Sequence, residues 1–515
     1  MNDTRLLLKV AAQHYSSGEY PTAEALCRRI IDQSPGHFDA LQLLGVLLNR
    51  QHRPAEAADY LRLAATLQPH NRQIRTNLAN SLLATEQYVE AVAYSDGEDP
   101  ASLNNHGLAL RGLGRLEEAA AAFRQAADPA YAPGWFNLAT TLARLGQLEQ
   151  ALDAARTALR VAPADTPVTR LADIANEIGR MLMALGKPDD ALAECRVFLA
   201  QYPDEPRVTW NMSLALLLLG RFAQGWPLYE RRFDVPSHDQ RVSGTTVLDP
   251  GAVAGKRVLI LTEQGRGDML QMVRYAPLLA EMGATVLMQT YGDLVGLFAG
   301  TPGIHMVIST DHEPPEADLR TMAMSLPLAF NTSAENLPVH VPYLLIPPDR
   351  AAAWGERLAS KQRPRVGLAW SGSKQSYDRS AMPVSCLRPL LALSQFEFHC
   401  LQRDIVEADE AWLAAEQPLL HRHDRDLSDF ADTAALVGEM DLVITIDTAI
   451  AHLTGALGRP VWIMLPFNPD WRWMLKRSDS PWYPTARLFR QTADRGWASV
   501  VAAVKAALLD SSVRT

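Results

Sequence analysis

The feature that most constrains this chain is a ruler of small residues in its first half. Ala23, Ala57, Ala91, Ala119, Ala151, Ala191 and Gly225 are spaced by 34, 34, 28, 32, 40 and 34 residues. Twelve residues before each stands another, mostly small, residue: Ala11, Gly45, Ala79, Gly107, Ala139, Gly179 and Ser213. A period near 34 residues marks a helix hairpin that cannot bury its apolar face alone and must stack on its neighbours. Small side chains at the two ruler positions let the helices of one hairpin approach closely. Glycines at the intervening turn (Gly18, Gly114, Gly146, Gly186, Gly220) and prolines after the second helix (Pro35, Pro69, Pro163, Pro203) complete the unit. Seven units predict an all-α solenoid over residues 4–233, with a shortened third unit near 96–100 and an insertion near 165–169.

The pattern resembles that of tetratricopeptide repeat proteins. Two residues before the small residue of the first helix, asparagine recurs at Asn77, Asn105, Asn137 and Asn211, while Leu43 and Glu177 break the series. An amide can donate to and accept from a peptide backbone whatever its side chains are, so this row is a candidate acceptor-binding ladder. A solvated polar helix face is the plainer reading of any single member. The position is similar to that of the asparagine ladder in the repeat superhelix of O-linked N-acetylglucosamine transferases.

Beyond a linker at 234–255, short apolar runs alternate with helices, the signature of parallel sheets with crossover helices. A first half, 256–345, is expected to hold strands at 257–261, 284–289 and 304–309 with a helix at 268–282. A second half, 346–515, is expected to hold strands at 365–370, 397–401, 442–446 and 461–465, and a final helix at 497–509 placed to cross back over the interface. Two such Rossmann-like halves with a cleft between them describe the GT-B glycosyltransferase architecture, with ligands at the carboxyl ends of the strands.

Asp447-Thr448-Ala449-Ile450-Ala451-His452-Leu453 through Ala456-Leu457-Gly458-Arg459-Pro460 resembles the signature of bacterial heptosyltransferase-type enzymes. With Pro466-Phe467, Asp470-Trp471-Arg472-Trp473 and Ser480-Pro481-Trp482-Tyr483-Pro484, it is similar to tetratricopeptide glycosyltransferases that modify bacterial proteins, flagellin among them. The resemblance implies a nucleotide-sugar donor, linked to uridine diphosphate or cytidine monophosphate, and an acceptor hydroxyl on a polypeptide such as flagellin. It also leaves open transfer to a surface glycan, and a non-catalytic scaffold whose transferase half has decayed.

Candidate residues follow from strand ends. The backbone N–H groups of Thr448, Ala449 and Ile450 at a helix start suit a donor phosphate without a divalent metal. Asp447 is either a plain N-cap or, by the resemblance, a contact to donor hydroxyls; His452 is either structural or supports the ligand site. Ser371, Ser373, Lys374 and Arg379 follow the strand at 365–370, where hydroxyls and cations would meet the charge growing on a leaving phosphate; Lys374 resembles the heptosyltransferase phosphate-binding lysine. Asp268, after Gly265-Arg266-Gly267, is the candidate base for an inverting displacement, with helix capping as the alternative. Arg266 would contact a donor phosphate or sugar carboxylate, and Gln402 a pyrimidine edge. Trp471 and Trp473 are read as core.

Composition narrows the classes further. A net charge of −9 argues against a nucleic-acid binder, and the four cysteines show no paired spacing for a zinc site or a disulfide framework. No apolar run reaches membrane-spanning length, so a cytoplasmic protein with no cofactor besides its donor substrate is expected.

Overall fold

The computed structural model describes residues 2–128, 130–235, 245–358, 360–372, 382–415 and 419–510. The chain packs as two units: Met1–Leu185 with Ala200–Glu205, and Gly186–Leu199 with Pro206–Thr515.

The first unit is helical throughout. Its hairpins are α1 (Asn2–Ser16) with α2 (Tyr20–Gln33), α3 (Phe38–Arg50) with α4 (Pro54–Leu67), α5 (Arg72–Ala84) with α6 (Tyr88–Tyr94), α7 (Pro100–Gly112) with α8 (Leu116–Ala126), and α9 (Ala132–Arg144) with α10 (Leu148–Val161). Helix α11 (Val168–Ala184) packs on α10. The ruler residues do what their size predicts. A Cβ on Gly45 would stand 2.5 Å from Leu61 Cγ, and one on Gly107 would stand 2.6 Å from Phe123, both partners being fully buried. The turn glycines Gly18, Gly114 and Gly146 sit at φ +72° to +79° with Gly186 and Gly220, a region L-residues avoid. His52 and Glu86 take up a similar conformation at φ 59° and 58°. The shortened third unit is a seven-residue α6, after which Asp99 caps α7 by accepting from the Ala101 and Ser102 amides at 3.1 and 3.0 Å.

The second unit begins with α12 (Pro188–Gln201), most of which belongs to it, then α13 (Pro206–Leu218) and α14 (Phe222–Tyr229). Packing therefore groups the end of the repeat array with the α/β half, whereas the sequence placed the boundary at a linker over 234–255. Trp226 meets Trp471 edge to face at 5.1 Å, and Phe222 meets Trp482 at 5.9 Å, which makes these tryptophans core.

Two parallel sheets follow. The first joins β1 (Arg257–Leu261), β2 (Thr285–Thr290), β3 (Ile304–Ser309) and β4 (Leu319–Met322) in the order β3-β2-β1-β4. The second joins β5 (Arg365–Ala369), β6 (Glu397–Cys400), β7 (Leu442–Ile446), β8 (Val461–Leu465) and β9 (Ala486–Arg490) in the order β6-β5-β7-β8-β9. Every pairing is parallel. In each sheet the strand order reverses once, beside β1 in the first and between β5 and β7 in the second, and clefts for ligands open at such points.

Two expectations are corrected. The helix expected at 268–282 is broken into α15 (Arg266–Met272) and α16 (Tyr275–Glu281), with the buried Arg274 between them. The remaining helices are α17 (Gly292–Phe298), α18 (Leu326–Ala329), α19 (Pro348–Arg357), α20 (Arg388–Leu391), α21 (Glu407–Ala415), α22 (Phe430–Gly438), α23 (Ala449–Ala456) and α24 (Trp497–Asp510). Helix α24 does not cross back to the first sheet: Trp497, Val500, Val501, Val504 and Leu508 fill the core of the second half with Val366, Leu368 and Ile444. Among the described residues no helix is long and apolar enough to cross a membrane. Cys27, Cys195 and Cys400 are buried free thiols and Cys386 is partly exposed.

Two substitutions test this account of the array. Gly45→Ala should destabilise by about 1–3 kcal/mol despite alanine's helix propensity, because Leu61 has nowhere to move. Glu86→Gly should stabilise by up to about 1 kcal/mol by relieving a left-handed residue. Thermal or denaturant midpoints of the two variants should move in opposite directions.

Candidate functional site

The carboxyl ends of the two sheets are brought together by the helices that follow their central strands. After β1 the chain turns through Thr262–Gly265 into α15, and after β7 it turns through Asp447 into α23. A Cβ on Gly267 would lie 2.9 Å from the His452 ring and 3.6 Å from Ala449 Cα, so only glycine allows these two helix starts to approach this closely. Arg472 reaches the same place from the short 3-10 turn Trp471–Trp473 that follows β8.

Arg472 organises the cluster. Its Nη2 donates to Asp268 Oδ1, its Nη1 to Asp470 Oδ1 at 2.8 Å and its Nε to Gln271 Oε1 at 2.6 Å. The other oxygen of Asp268 accepts from the Gly265 backbone N–H at 2.7 Å. Asp268 is thus the third residue of α15, bonding back to the N-cap amide, and is at the same time ion-paired across the cleft. Capping and a site role coexist in one carboxylate. The sequence quoted Arg472 only as part of a motif and gave it no role; its signal was a cation between two tryptophans just beyond a strand end.

Burial sets the electrostatics. It raises the carboxyl of Asp268, against the pull of Arg472 and the Gly265 amide. It pushes Asp447 up to about 7, helped by the neighbouring charges of Asp470 and Asp268 and opposed by Trp473 and Arg472. His452 is held well below its ordinary value by burial and by the positive charges of Arg472 and Arg274, so its ring is neutral. Its Nδ1 lies 2.8 Å from the Tyr483 hydroxyl and its ring stacks on Trp473 at 5.3 Å, with Nε2 4.0 Å from Asp447 Oδ1. His452 is therefore packed into the floor of the cluster beneath Asp447. Burial works against the charge on Arg472, but Asp470 and Asp268 hold it.

Asp447 is not the N-cap of α23. That position falls to Thr448, whose side chain makes no cap bond. The Ala451 N–H closes on Thr448 O at 3.0 Å, and the N–H groups of Ala449 and Ile450 find no acceptor among the described residues. They lie beside Asp447 at the start of the helix, where backbone N–H groups favour a negative charge.

Other candidates fall elsewhere. Ser371 follows β5, but its Oγ accepts from Gln402 Nε2 at 2.6 Å. Gln402 Oε1 accepts from the Trp370 and Ser371 amides at 3.3 and 3.0 Å, and its Nε2 also donates to Asp404 O at 2.9 Å. The amide of Gln402 is spent on fastening the ends of β5 and β6 together, which corrects its assignment to a pyrimidine edge. Arg266 is partly exposed; its Nε donates to Asp293 Oδ2 at 2.7 Å, and Arg403 Nη2 approaches the same oxygen at 3.3 Å. Ser373, Lys374 and Arg379 lie outside the described residues.

The asparagine row is narrower than its register implied. Asn105 Nδ2 donates to Asn80 Oδ1 and Asn137 Nδ2 to Asn104 Oδ1, both at 2.8 Å, so these amides link successive repeats. Asn105 and Asn211 are also buried. Asn77 differs: its buried Nδ2 has no hydrogen-bond partner among the described residues, and Asn77 lines a cavity of about 480 Å³ with Val46, Asn49, Arg50, Asn80 and Ala84.

Comparison with known proteins covers both halves. A family model described as tetratricopeptide repeat matches residues 13–72, 104–166, 136–206 and 176–232. Protein FlbA of Caulobacter vibrioides is 29% identical over 449 residues, spanning 80% of this chain and 73% of that protein. Among solved structures, PilW, a widely conserved type IV pilus biogenesis factor, is 18% identical with a TM-score of 0.35, covering 40% of this chain and 97% of that one. A tetratricopeptide repeat protein from Parabacteroides merdae is 14% identical with a TM-score of 0.38, covering 47% and 96%. The helical array of this chain is built of tetratricopeptide repeats.

The raised carboxyl of Asp447 has a consequence for stability. Its folded form keeps a proton that the unfolded chain, with an ordinary value of 3.8, releases earlier. The folded state is therefore increasingly disfavoured as pH rises from about 4 to about 7, and the cost is constant above that. Asp447→Asn removes it. The stability gain of the variant over wild type should grow across that window to at most a few kcal/mol and then level off. Denaturant midpoints measured from about pH 4 to pH 8.5 check this, and a gain that is flat with pH would contradict it.

Proposed function

We propose that this protein is a glycosyltransferase that moves a sugar from a nucleotide-activated donor to a serine or threonine hydroxyl of a polypeptide engaged by the repeat array. The observation that carries this reading is the meeting of Asp268 from the first sheet with Asp447 and Arg472 from the second, at the carboxyl ends of both. Two parallel sheets facing one cleft are compatible with the GT-B architecture, and the repeats supply a surface of the kind that binds peptides.

In this reading the acceptor hydroxyl attacks the anomeric carbon of the donor, and Asp268 takes its proton. The bond from that carbon to the phosphate oxygen breaks, and its electron pair leaves with the phosphate. The N–H groups at the start of α23 face the growing negative charge, and Lys374, which follows β5 in the sequence, is proposed to contribute its positive charge. One displacement inverts the anomeric centre. Asp447 would bind donor hydroxyls while protonated and accept from them when ionised. Asn77 and its cavity are the part of the asparagine row best suited to hold acceptor backbone. Flagellin is the acceptor to which the sequence resemblance points.

The test has two stages. The intact mass of flagellin from source cells should lose regularly spaced increments when the gene is deleted; no change would remove flagellin as acceptor and pass the comparison to the rest of the proteome, then to surface glycans. With an acceptor in hand, Asp268→Asn should lower the transfer rate at least about 10²-fold, the scale of general-base catalysis, with donor binding changed less than about threefold. Nucleotide binding without turnover on any acceptor would instead favour a scaffold.

A further inference from the structure

The loop that carries Asp268 is fastened residue by residue, and two of its fastenings come from the end of the repeat array. Arg232, in the 3-10 turn Glu230–Asp234 after α14, is fully buried and forks onto Glu263, Nε to Oε1 at 2.9 Å and Nη2 to Oε2 at 3.2 Å. It also donates to Glu230 Oε1 at 2.6 Å and Ser325 Oγ at 2.8 Å. Next along the loop, Gln264 donates from Nε2 to the hydroxyl of the buried Tyr229 at 2.5 Å. Gln264 has φ 60°, the left-handed region that costs a side-chain-bearing residue energy unless its surroundings enforce it.

What that backbone conformation achieves is visible one peptide bond later. The Gln264 carbonyl and the Gly265 N–H belong to the same peptide unit. The carbonyl accepts from the Tyr291 hydroxyl, and the N–H donates to Asp268 Oδ2 at 2.7 Å. If Gln264 returned to an ordinary conformation, this peptide would rotate and its N–H would leave the carboxylate. Because a trans peptide is planar, the orientation of the N–H is fixed by the two residues that hold Gln264.

Resting on the proposed transferase reading, we infer that Tyr229, with Arg232 behind it, is a positioning residue for Asp268: the last helix of the array sets the peptide that orients the candidate base. Tyr229 touches none of the atoms proposed to react. The array then does more than recruit an acceptor, since its terminal turn completes the catalytic loop. The groups that face Asp268 are Arg472 and Asp470 from the turn after β8, Asp447 at the end of β7, Glu263 in its own loop and the Gly265 amide. Losing the Gly265 amide removes one of the three interactions that favour the ionised carboxylate, beside Arg472 and the backbone amide of Asp268 itself, so the acidic limb of a pH–rate profile should move to higher pH.

Tyr229→Phe removes only the hydroxyl that holds Gln264. In the full-length protein, amide exchange in the segment 262–268 should quicken at least about tenfold, while segments in α16 and in the repeat array keep wild-type rates. Gln264→Gly removes the tether and frees φ, so adding Tyr229→Phe to it should change exchange by less than about twofold, a coupling that general destabilisation would not produce. Unchanged exchange in Tyr229→Phe, or independent and additive effects of the two substitutions, would overturn the inference. This readout needs no activity, so it holds even if the transferase reading fails. Where transfer is measurable, Tyr229→Phe should lower kcat several-fold with donor KM unchanged and shift the acidic limb upward; a KM effect alone would count against it.

Discussion

The guanidinium of Arg472 is the interaction on which the α/β unit's site depends. A buried cation loses its hydration and persists only if its donors are matched by acceptors in good geometry. Arg472 meets that requirement with a carboxylate from α15, a carboxylate two residues back along its own turn and the amide oxygen of Gln271. Two of those three partners belong to the first sheet's side of the cleft. The need to satisfy one charge therefore fixes how the strand ends of two separate sheets face each other. Arginine suits this place better than lysine would, because its planar fork serves several acceptors at once.

The same logic recurs where other segments cross. Arg274, in the break between α15 and α16, donates to Tyr343 Oη at 3.0 Å and to the carbonyls of Pro338 and Trp482 at 3.2 Å. It also lies over the rings of Tyr343 and Tyr483 at 4.7 and 4.9 Å. Arg232 performs the equivalent task between the array's last turn and the loop after β1. Each is a buried charge whose partners come from distant parts of the sequence, so removing either would strand a charge or its acceptors. Packing alone tolerates sliding by an ångström or so; directional bonds to a buried fork do not.

These ties also explain how much could be read from the chain beforehand. Periodic features were legible because they repeat: the small residues of the hairpins, and the strands β1, β3, β7 and β8, whose apolar runs match the expected spans residue for residue. Strands β4 and β9 were missed since Leu319-Arg320-Thr321-Met322 and Ala486-Arg487-Leu488-Phe489-Arg490 carry charge within short runs. Gln402 was misjudged for a different reason. Its place beyond a strand end suggested a ligand contact, but whether an amide is free depends on neighbours such as Ser371 that only the fold supplies. Arg472 and Tyr229 were passed over because their partners Asp268 and Gln264 lie 204 and 35 residues away along the chain. Motif reading finds residues that act near their own sequence neighbours, whereas long-range charge pairing leaves no local trace.

The charge count at the site constrains how a donor could lie in it. Asp268, Asp447 and Asp470 surround a single guanidinium, and burial, helped by the excess negative charge, raises the Asp447 carboxyl to about 7. A phosphate placed among these carboxylates would be repelled. The start of α23 offers N–H groups without an anion of their own, and the cations Arg266 and Arg403 stand together beside the carboxylate of Asp293. On the proposed reading, the phosphate belongs to that N–H and cationic side and the sugar and acceptor hydroxyls to the carboxylate side. The two sides meet at the Gly267–His452 contact, where the helix starts come closest. Such a division would place the breaking bond between a face that stabilises departing negative charge and a face that removes a proton, as an inverting displacement requires.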